Sequence, residues 1–197
     1  MLARPVTLAL VVANAAWFFA TLPLNAEDFY ALTQVNSAVL ERGEAWRLFT
    51  SIFVHFDAVH LFSNLLGLVL FGLRVEDLFG RWKTLVVYFG SGIFANVVDL
   101  ALLPANVASA GASGCIYGLI GAYYVGVGRH DKRLLQQGVV ATLVYAALSY
   151  RPGVNPFAHL FGAVGGILLA LLFTRGAGTS GQRSELERWR TARVPGY

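Results

Sequence analysis

The chain has 197 residues, of which 56% are hydrophobic and only 13% are charged, and its formal net charge is +4. Soluble domains carry about 25% charged residues, so this composition excludes a soluble globular protein. Together with a mean hydropathy of +0.60, it predicts an all-α membrane protein that crosses the bilayer several times. The small positive charge is better explained by membrane topology than by nucleic acid, and we expect no nucleic-acid partner.

Apolar runs of roughly 20 residues are long enough to cross a bilayer. We predict six such helices, near residues 5–23, 57–77, 84–103, 113–128, 134–149 and 157–174. The first run continues without a break through Trp17 to Ala20, so we expect a retained helix rather than a cleaved secretory signal. Asp57 is expected to cap the second helix. The loop of about 33 residues before it is long enough to have a role, and we expect it to be folded and partly embedded in the membrane.

The distribution of basic residues predicts the orientation. With the N-terminus inside, twelve of the fifteen Lys and Arg residues fall in inner segments, and the outer loops keep only Arg42, Arg47 and Arg151. This asymmetry indicates a multi-pass protein of the cell (inner) membrane with both termini in the cytoplasm. We expect one membrane domain over residues 1–175, followed by a short, polar and basic cytoplasmic tail over 176–197.

Two reactive side chains lie at the predicted outer ends of two helices. Ser113 opens the fourth helix in the run Gly111-Ala112-Ser113-Gly114, whose glycines let a backbone or a substrate approach closely. His159 lies at the start of the sixth helix. A serine nucleophile and a histidine general base are the minimum set for acyl transfer. The pattern therefore predicts acyl-transfer chemistry just below the outer surface.

The second helix adds two hydrogen-bond donors near the same level. His60 and Asn64 are four residues apart, so both point from one face of the helix. Both can donate a hydrogen bond to a developing oxyanion. Tyr117 stands one turn after Ser113, where its ring is expected to contact the histidine of the sixth helix. His55 precedes the second helix, and we expect it to have a role in the loop.

Small residues recur at four-residue intervals on two of the predicted helices. In the sixth helix they are Ala158, Gly162, Gly166 and Ala170, and in the fourth they are Gly114, Gly118 and Ala122. Faces of this kind let helices pack closely in lipid. We expect this packing to bring Ser113 within reach of His159.

Other residues have simpler or alternative explanations. Cys115 is expected to be a small buried helix residue rather than a nucleophile. Asp99 is an acid within a predicted membrane segment, so it could be the third member of a catalytic triad. A metalloprotease would need an H-E-x-x-H helix, which the sequence does not contain.

These motifs closely resemble the rhomboid family of intramembrane serine proteases, over roughly residues 44–170. The matching residues, in order, are Glu44-Ala45-Trp46-Arg47, His60 and Asn64 in an HxxxN pattern, Glu76, the GASG run with Ser113, Tyr117, and His159 followed by Gly162 and Gly166. A GxSG run alone would be a weak signal. Six ordered motifs on six predicted helices are specific.

The resemblance implies a six-helix, rhomboid-like bundle with a structured first loop anchored by Trp46 and Arg47. It implies a Ser113–His159 dyad rather than a triad, and the implied reaction needs neither a cofactor nor a metal. The implied oxyanion donors are the Ser113 backbone N–H, His60 and Asn64, while Glu76 has a structural role. The implied partners are the lipid bilayer and transmembrane protein substrates, cleaved near their outer ends.

Two alternatives from other classes remain. Rhomboid pseudoproteases bind membrane clients without cleaving them, but they lack the serine or the histidine, and this chain has both. A small transporter could also have six helices, but it would show paired half-repeats with broken helices, and the sequence shows none. The sequence leaves the natural substrate and the oligomeric state open.

Overall fold

The computed structural model describes residues 4–128, 132–149 and 155–175, so the predicted tail at 176–197 lies outside the described residues. Helices dominate these ranges. The elements, in chain order, are α1 (Pro5–Thr21), α2 (Ala26–Ala31), β1 (Gln34–Val35), α3 (Asn36–Arg42), α4 (Arg47–Thr50), a 3₁₀ turn (Ser51–Phe53), α5 (Ala58–Gly67), a π-helical turn (Leu68–Gly72), α6 (Leu73–Phe79), α7 (Arg81–Leu102), β2 (Ala108–Ser109), α8 (Ser113–Gly128), α9 (Lys132–Ser149) and α10 (Pro156–Arg175).

Helices occupy all six segments in which the sequence predicts them. Within the described residues, three are long and apolar enough to cross a membrane: Ala58–Phe79, Arg81–Leu102 and Pro156–Thr174. The first of these joins α5, the π-helical turn and α6. Most helix ends agree with the prediction within two residues. The largest difference is the start of α7 at Arg81 rather than 84: the helices extend past their apolar runs, and Gly80, with a positive φ of 80°, separates α6 from α7. The chain is an all-α membrane protein.

The long loop after α1 is folded. Its strand β1 pairs antiparallel with β2, so that Gln34 lies opposite Ser109 and Val35 opposite Ala108. Because β2 lies shortly before α8, this pair joins the first loop to the segment that leads into Ser113.

The buried side chain of Arg47 stabilises the first loop by hydrogen bonds. Its side chain is buried, and Nη1 donates hydrogen bonds to the carbonyl oxygens of Tyr30 and Thr33 at 2.8 and 2.9 Å. The same guanidinium bonds the Glu44 carboxylate. Trp46, in contrast, is 56% exposed. The two residues of the predicted anchor therefore differ: Arg47 organises the loop, whereas Trp46 faces outward.

Helix α8 packs against α7, α9 and α10. Its predicted small-residue face meets that of α10. A Cβ atom at Gly162 would overlap the carbonyl oxygen of Gly114, and one at Gly166 would overlap that of Gly118. The two backbones therefore approach closely at both levels, as the four-residue spacing predicts.

Glu76 joins α6 to the first helix. One carboxylate oxygen accepts a hydrogen bond from the Val6 N–H at 3.1 Å, and the other accepts from the Thr7 N–H and hydroxyl, both at 2.8 Å. The first N–H groups of a helix have no partner within that helix. The buried Glu76 side chain supplies the missing acceptors for α1, which is a structural role.

Candidate active site

A cavity of about 560 Å³ lies between the first loop and the starts of α5, α8 and α10. Five of the residues that line it are His60, Gly111, Ser113, Asn155 and His159. The cavity thus collects the serine and two of the histidines singled out in the sequence from three separate helices.

Gly111 shapes the approach to Ser113. Its backbone has a φ of 121°, a conformation that favours glycine, and its N–H donates to the Ser51 carbonyl at 2.9 Å. A Cβ atom at Gly111 would lie 2.6 Å from Nε2 of His60. The absent side chain leaves room for this histidine beside the segment that begins α8.

His159 lies in the first turn of α10, where Tyr117 covers one side of its ring. The two rings are stacked, with centroids 4.2 Å apart and planes 18° from parallel. Tyr117 lies one turn after Ser113, so the same helix supplies the serine and a contact that orients the histidine. Within the described residues, no hydrogen bond joins Ser113 to His159. Catalytic hydrogen bonds are often long until substrate is bound.

The two predicted oxyanion donors have different surroundings. His60 lies in the first turn of α5, and its backbone N–H donates a hydrogen bond to the side chain of Asp57, the predicted N-cap, at 2.7 Å. Asn64 is buried one turn later, and its Nδ2 donates to the His60 carbonyl at 2.8 Å. An amide nitrogen carries two donor hydrogens, so one remains after this bond. His60 lines the cavity, whereas Asn64, four residues later in α5, is not among the lining residues.

His55 lies in the loop before α5, as the sequence predicts, and it contacts His60. Its ring is buried and packs edge-on against that of His60, with centroids 5.0 Å apart. Its Nδ1 is 3.0 Å from the Phe53 carbonyl oxygen. Phe56 stacks on His60 with centroids 6.2 Å apart. His55 and Phe56 therefore constrain the His60 ring.

Sequence reasoning missed Asn155. Its Oδ1 accepts hydrogen bonds from the N–H groups of Phe157 and Ala158, at 3.0 and 3.3 Å, so it caps the start of α10. Its Nδ2 donates to Oδ2 of Asp99 at 2.5 Å. An asparagine directly before a proline at a helix start is a signal for such a cap. Asp99, considered above as a third triad member, bonds Asn155, and in the described residues no hydrogen bond joins it to His159.

Cys115 is fully buried in α8, as expected for a small packing residue. Within the described ranges, no group of three or more His, Cys, Asp or Glu side chains is arranged to hold a metal ion. Among the side chains considered for a nucleophilic role, Ser113 is the one that lines the cavity.

Comparison with known proteins adds independent information. A family model described as a rhomboid domain matches residues 42–176. The chain is 34% identical to YdcA of Bacillus subtilis over 174 residues, which cover 85% of this chain and 87% of YdcA. It is 32% identical to RHOMBOID-like protein 1 of Arabidopsis thaliana, with 70% of this chain and 36% of that protein covered. It is 30% identical to the rhomboid protease GluP of Bacillus subtilis, with 74% and 29% covered. The chain therefore spans most of YdcA but about a third of the other two relatives.

Proposed function

This chain belongs to the rhomboid family of intramembrane serine endopeptidases, and from that premise we propose that Ser113 and His159 are its catalytic dyad. The observation that carries the proposal is their common cavity: they come from the starts of α8 and α10 and both line it. The close backbone contact between Gly114 and Gly162 supports the proposal, because it holds these two helix starts together.

In the proposed reaction, the Ser113 hydroxyl attacks the scissile carbonyl while His159 takes its proton. His159 then delivers that proton to the leaving amine, and an acyl-enzyme forms. Water attacks the acyl-enzyme in the second half of the reaction, with His159 again as base, and releases the serine. Each step uses only side chains of this chain and water.

The negative charge on the substrate oxygen is proposed to be stabilised by three donors: the Ser113 N–H, the His60 ring and the Asn64 amide. The position of His60 at the cavity supports its part in this assignment. For Asn64 the support is the remaining amide hydrogen and its place one turn from His60. Donors already directed at the oxyanion need no rearrangement during the reaction, which is the source of their effect.

We also propose that the six helices in the predicted segments all cross the membrane, within a membrane domain over residues 1–175, and that the first loop is partly embedded. The positive-inside distribution supports cytoplasmic termini and hence a cavity that opens towards the outer side. The substrates would be transmembrane proteins cleaved near the outer surface of the bilayer. Their scissile segments must unwind locally, because helical hydrogen bonds shield the peptide group.

Substitution of the dyad tests this function. Ser113→Ala and His159→Ala should each abolish cleavage of a model transmembrane substrate by the purified protein in detergent or liposomes. The double variant should be no worse than either single variant, because nucleophile and base act as a unit. Labelling by a fluorophosphonate probe should disappear with Ser113→Ala. Ser37→Ala, a serine change in the first loop away from the cavity lining, should keep both activities, and retained cleavage in Ser113→Ala would overturn the assignment.

A further inference from the structure

We propose that Asp99 is a positioning residue for this reaction: it orients the carboxamide of Asn155 and thereby holds the first turn of α10, which carries His159. The inference rests on the proposed role of His159 as the general base. In this role Asp99, the buried acid of α7, acts without needing to contact His159.

Both the oxygen and the nitrogen of the Asn155 carboxamide form hydrogen bonds. Its oxygen accepts from the N–H groups of Phe157 and Ala158, and its nitrogen donates to Asp99 Oδ2 at 2.5 Å and to Ser109 Oγ at 3.4 Å. If the group turned by 180°, its N–H hydrogens would face the N–H groups of the helix. A carboxylate oxygen beside Nδ2 accepts a hydrogen bond from it and therefore favours the orientation in which the carboxamide oxygen caps the helix.

Asp99 is itself held in place. Its backbone carbonyl accepts a hydrogen bond from Asn36 Nδ2 at 2.8 Å and one from the Leu103 N–H at 2.9 Å. The backbone that carries the carboxylate is therefore held against the first loop. A continuous set of hydrogen bonds runs from Asn36 through Asp99 to Asn155 and the start of α10.

The burial of Asp99 indicates a function beyond packing. The residue is completely buried in a helix long enough to span a membrane, and in the described part of the chain its Oδ1 has no hydrogen-bond partner. A buried polar oxygen without a partner lowers stability. Ionisable residues retained in such segments are functional candidates. The other carboxylate oxygen of Asp99, Oδ2, accepts a hydrogen bond from Asn155. Asn155 caps the helix that carries His159, the proposed general base.

The effect on His159 follows from the position of the cap. His159 is four residues after Asn155, in the turn whose N–H groups the cap satisfies. Without that acceptor the turn frays, because the first N–H groups of a helix have no internal partner. Tyr117 stacks on the histidine ring, whereas the cap acts on the backbone of α10. Loss of the cap would therefore move the base relative to Ser113.

The variant Asn155→Asp separates positioning from simple capping. Aspartate caps helices as well as asparagine, so one oxygen still accepts from the helix. The donor to Asp99 is lost, however, and two carboxyl groups face each other. We expect kcat to fall by about 10-fold to 100-fold, the cost of misplacing a catalytic group by roughly 1 Å, with KM nearly unchanged. Fluorophosphonate labelling of Ser113 should slow in parallel. Asn106→Asp, the same change at an exposed residue of the loop before α8, should leave kcat unchanged.

A double substitution provides the rescue. Combining Asp99→Asn with Asn155→Asp exchanges the donor and the acceptor, while an oxygen remains at the helix cap. It should raise kcat about 10-fold above that of Asn155→Asp alone, as expected for two directly coupled residues. Asp99→Asn alone keeps an acceptor oxygen for Asn155 and should cost less kcat than Asn155→Asp.

Two results would overturn the proposal. One is a kcat for Asn155→Asp equal to that of the parent protein, and the other is a folded double variant no faster than Asn155→Asp. If the double variant does not fold, the order of the two single variants decides, since the proposal requires Asn155→Asp to be the slower. Failure of the dyad assignment is a separate result, because it would appear as cleavage by Ser113→Ala or His159→Ala, both of which keep the Asp99–Asn155 hydrogen bond.

Discussion

Gly111 lies directly against His60: a Cβ atom at Gly111 would be 2.6 Å from Nε2 and 2.8 Å from Cε1 of the histidine ring. The same glycine has a φ of 121° and lies two residues before Ser113. A side chain at this position would therefore disturb both the backbone leading to the nucleophile and the position of a proposed oxyanion donor.

The first prediction concerns this contact. Gly111→Ala should lower turnover of a transmembrane substrate by at least about 10-fold, because displacing a catalytic group by roughly 1 Å can cost about 100-fold. Gly43→Ala is a matched control: Gly43 also has a positive φ, of 71°, but nothing lies within 4 Å of its Cβ position. Both variants should lose about 1–3 kcal/mol of stability through backbone strain. Equal turnover in the two variants would show that the His60 contact does not matter.

The second prediction concerns the packing of α8 against α10. Gly162→Val should lower the melting temperature and the cleavage rate together, because its side chain would meet the Gly114 carbonyl and push apart the helices that carry Ser113 and His159. Leu168→Val changes a residue of α10 that is 51% exposed and should affect neither. Thermal unfolding in detergent and an assay with a model substrate measure both effects. An unchanged melting temperature for Gly162→Val would contradict the observed packing.

The third prediction concerns the oxyanion donors. His60→Ala and Asn64→Ala should each lower turnover by about 10-fold to 1,000-fold, the range for a lost donor, while some fluorophosphonate labelling persists. His55→Ala should cost far less turnover than His60→Ala, although it should lower stability because the His55 ring is buried. If His60→Ala and Asn64→Ala both keep full turnover, the pair is structural.

The fourth prediction compares two neighbouring acids of α6. Glu76→Gln disrupts buried hydrogen bonds to α1 and should cost roughly 1.5–3 kcal/mol of stability. Asp77→Asn breaks an ion pair with Arg4 that lies partly in solvent, and it should cost much less stability than Glu76→Gln. Neither residue lines the cavity, so the kcat of folded protein should change little in both variants. Equal melting temperatures would rule out the proposed anchoring of α1.

The fifth prediction concerns acid stability of the first loop. Hydrogen bonds from Arg42 and Arg47 lower the pKa of Glu44 from 4.5 to about 2. A depressed pKa in the folded state means that Glu44 stabilises the protein above about pH 4.5 and loses this effect as the pH falls towards 2. The melting-temperature difference between the parent and Glu44→Gln should therefore be largest at neutral pH and shrink below pH 4.5. Glu41→Gln, a change of equal charge at an exposed neighbour, should show a smaller difference throughout.

Much of the helical framework follows from the sequence alone. In lipid a helix satisfies its own backbone hydrogen bonds, so long apolar runs strongly predict helices. The runs near 57–77, 84–103 and 157–174 accordingly became Ala58–Phe79, Arg81–Leu102 and Pro156–Arg175. The four-residue spacing of Gly162 and Gly166 was equally informative, because glycines one turn apart lie on the same side of any helix.

Contacts between distant segments were decided only by the tertiary structure. The pairing of β1 with β2, the outward position of Trp46 and the hydrogen bond between Asp99 and Asn155 have no local signature. They depend on the depth and rotation of each helix relative to its neighbours, and these are set by packing over the whole bundle. The sequence therefore determined which helices form and which side chains carry reactive groups. The tertiary structure decided which polar groups meet, because residues 56 positions apart make contact only after the helices are assembled.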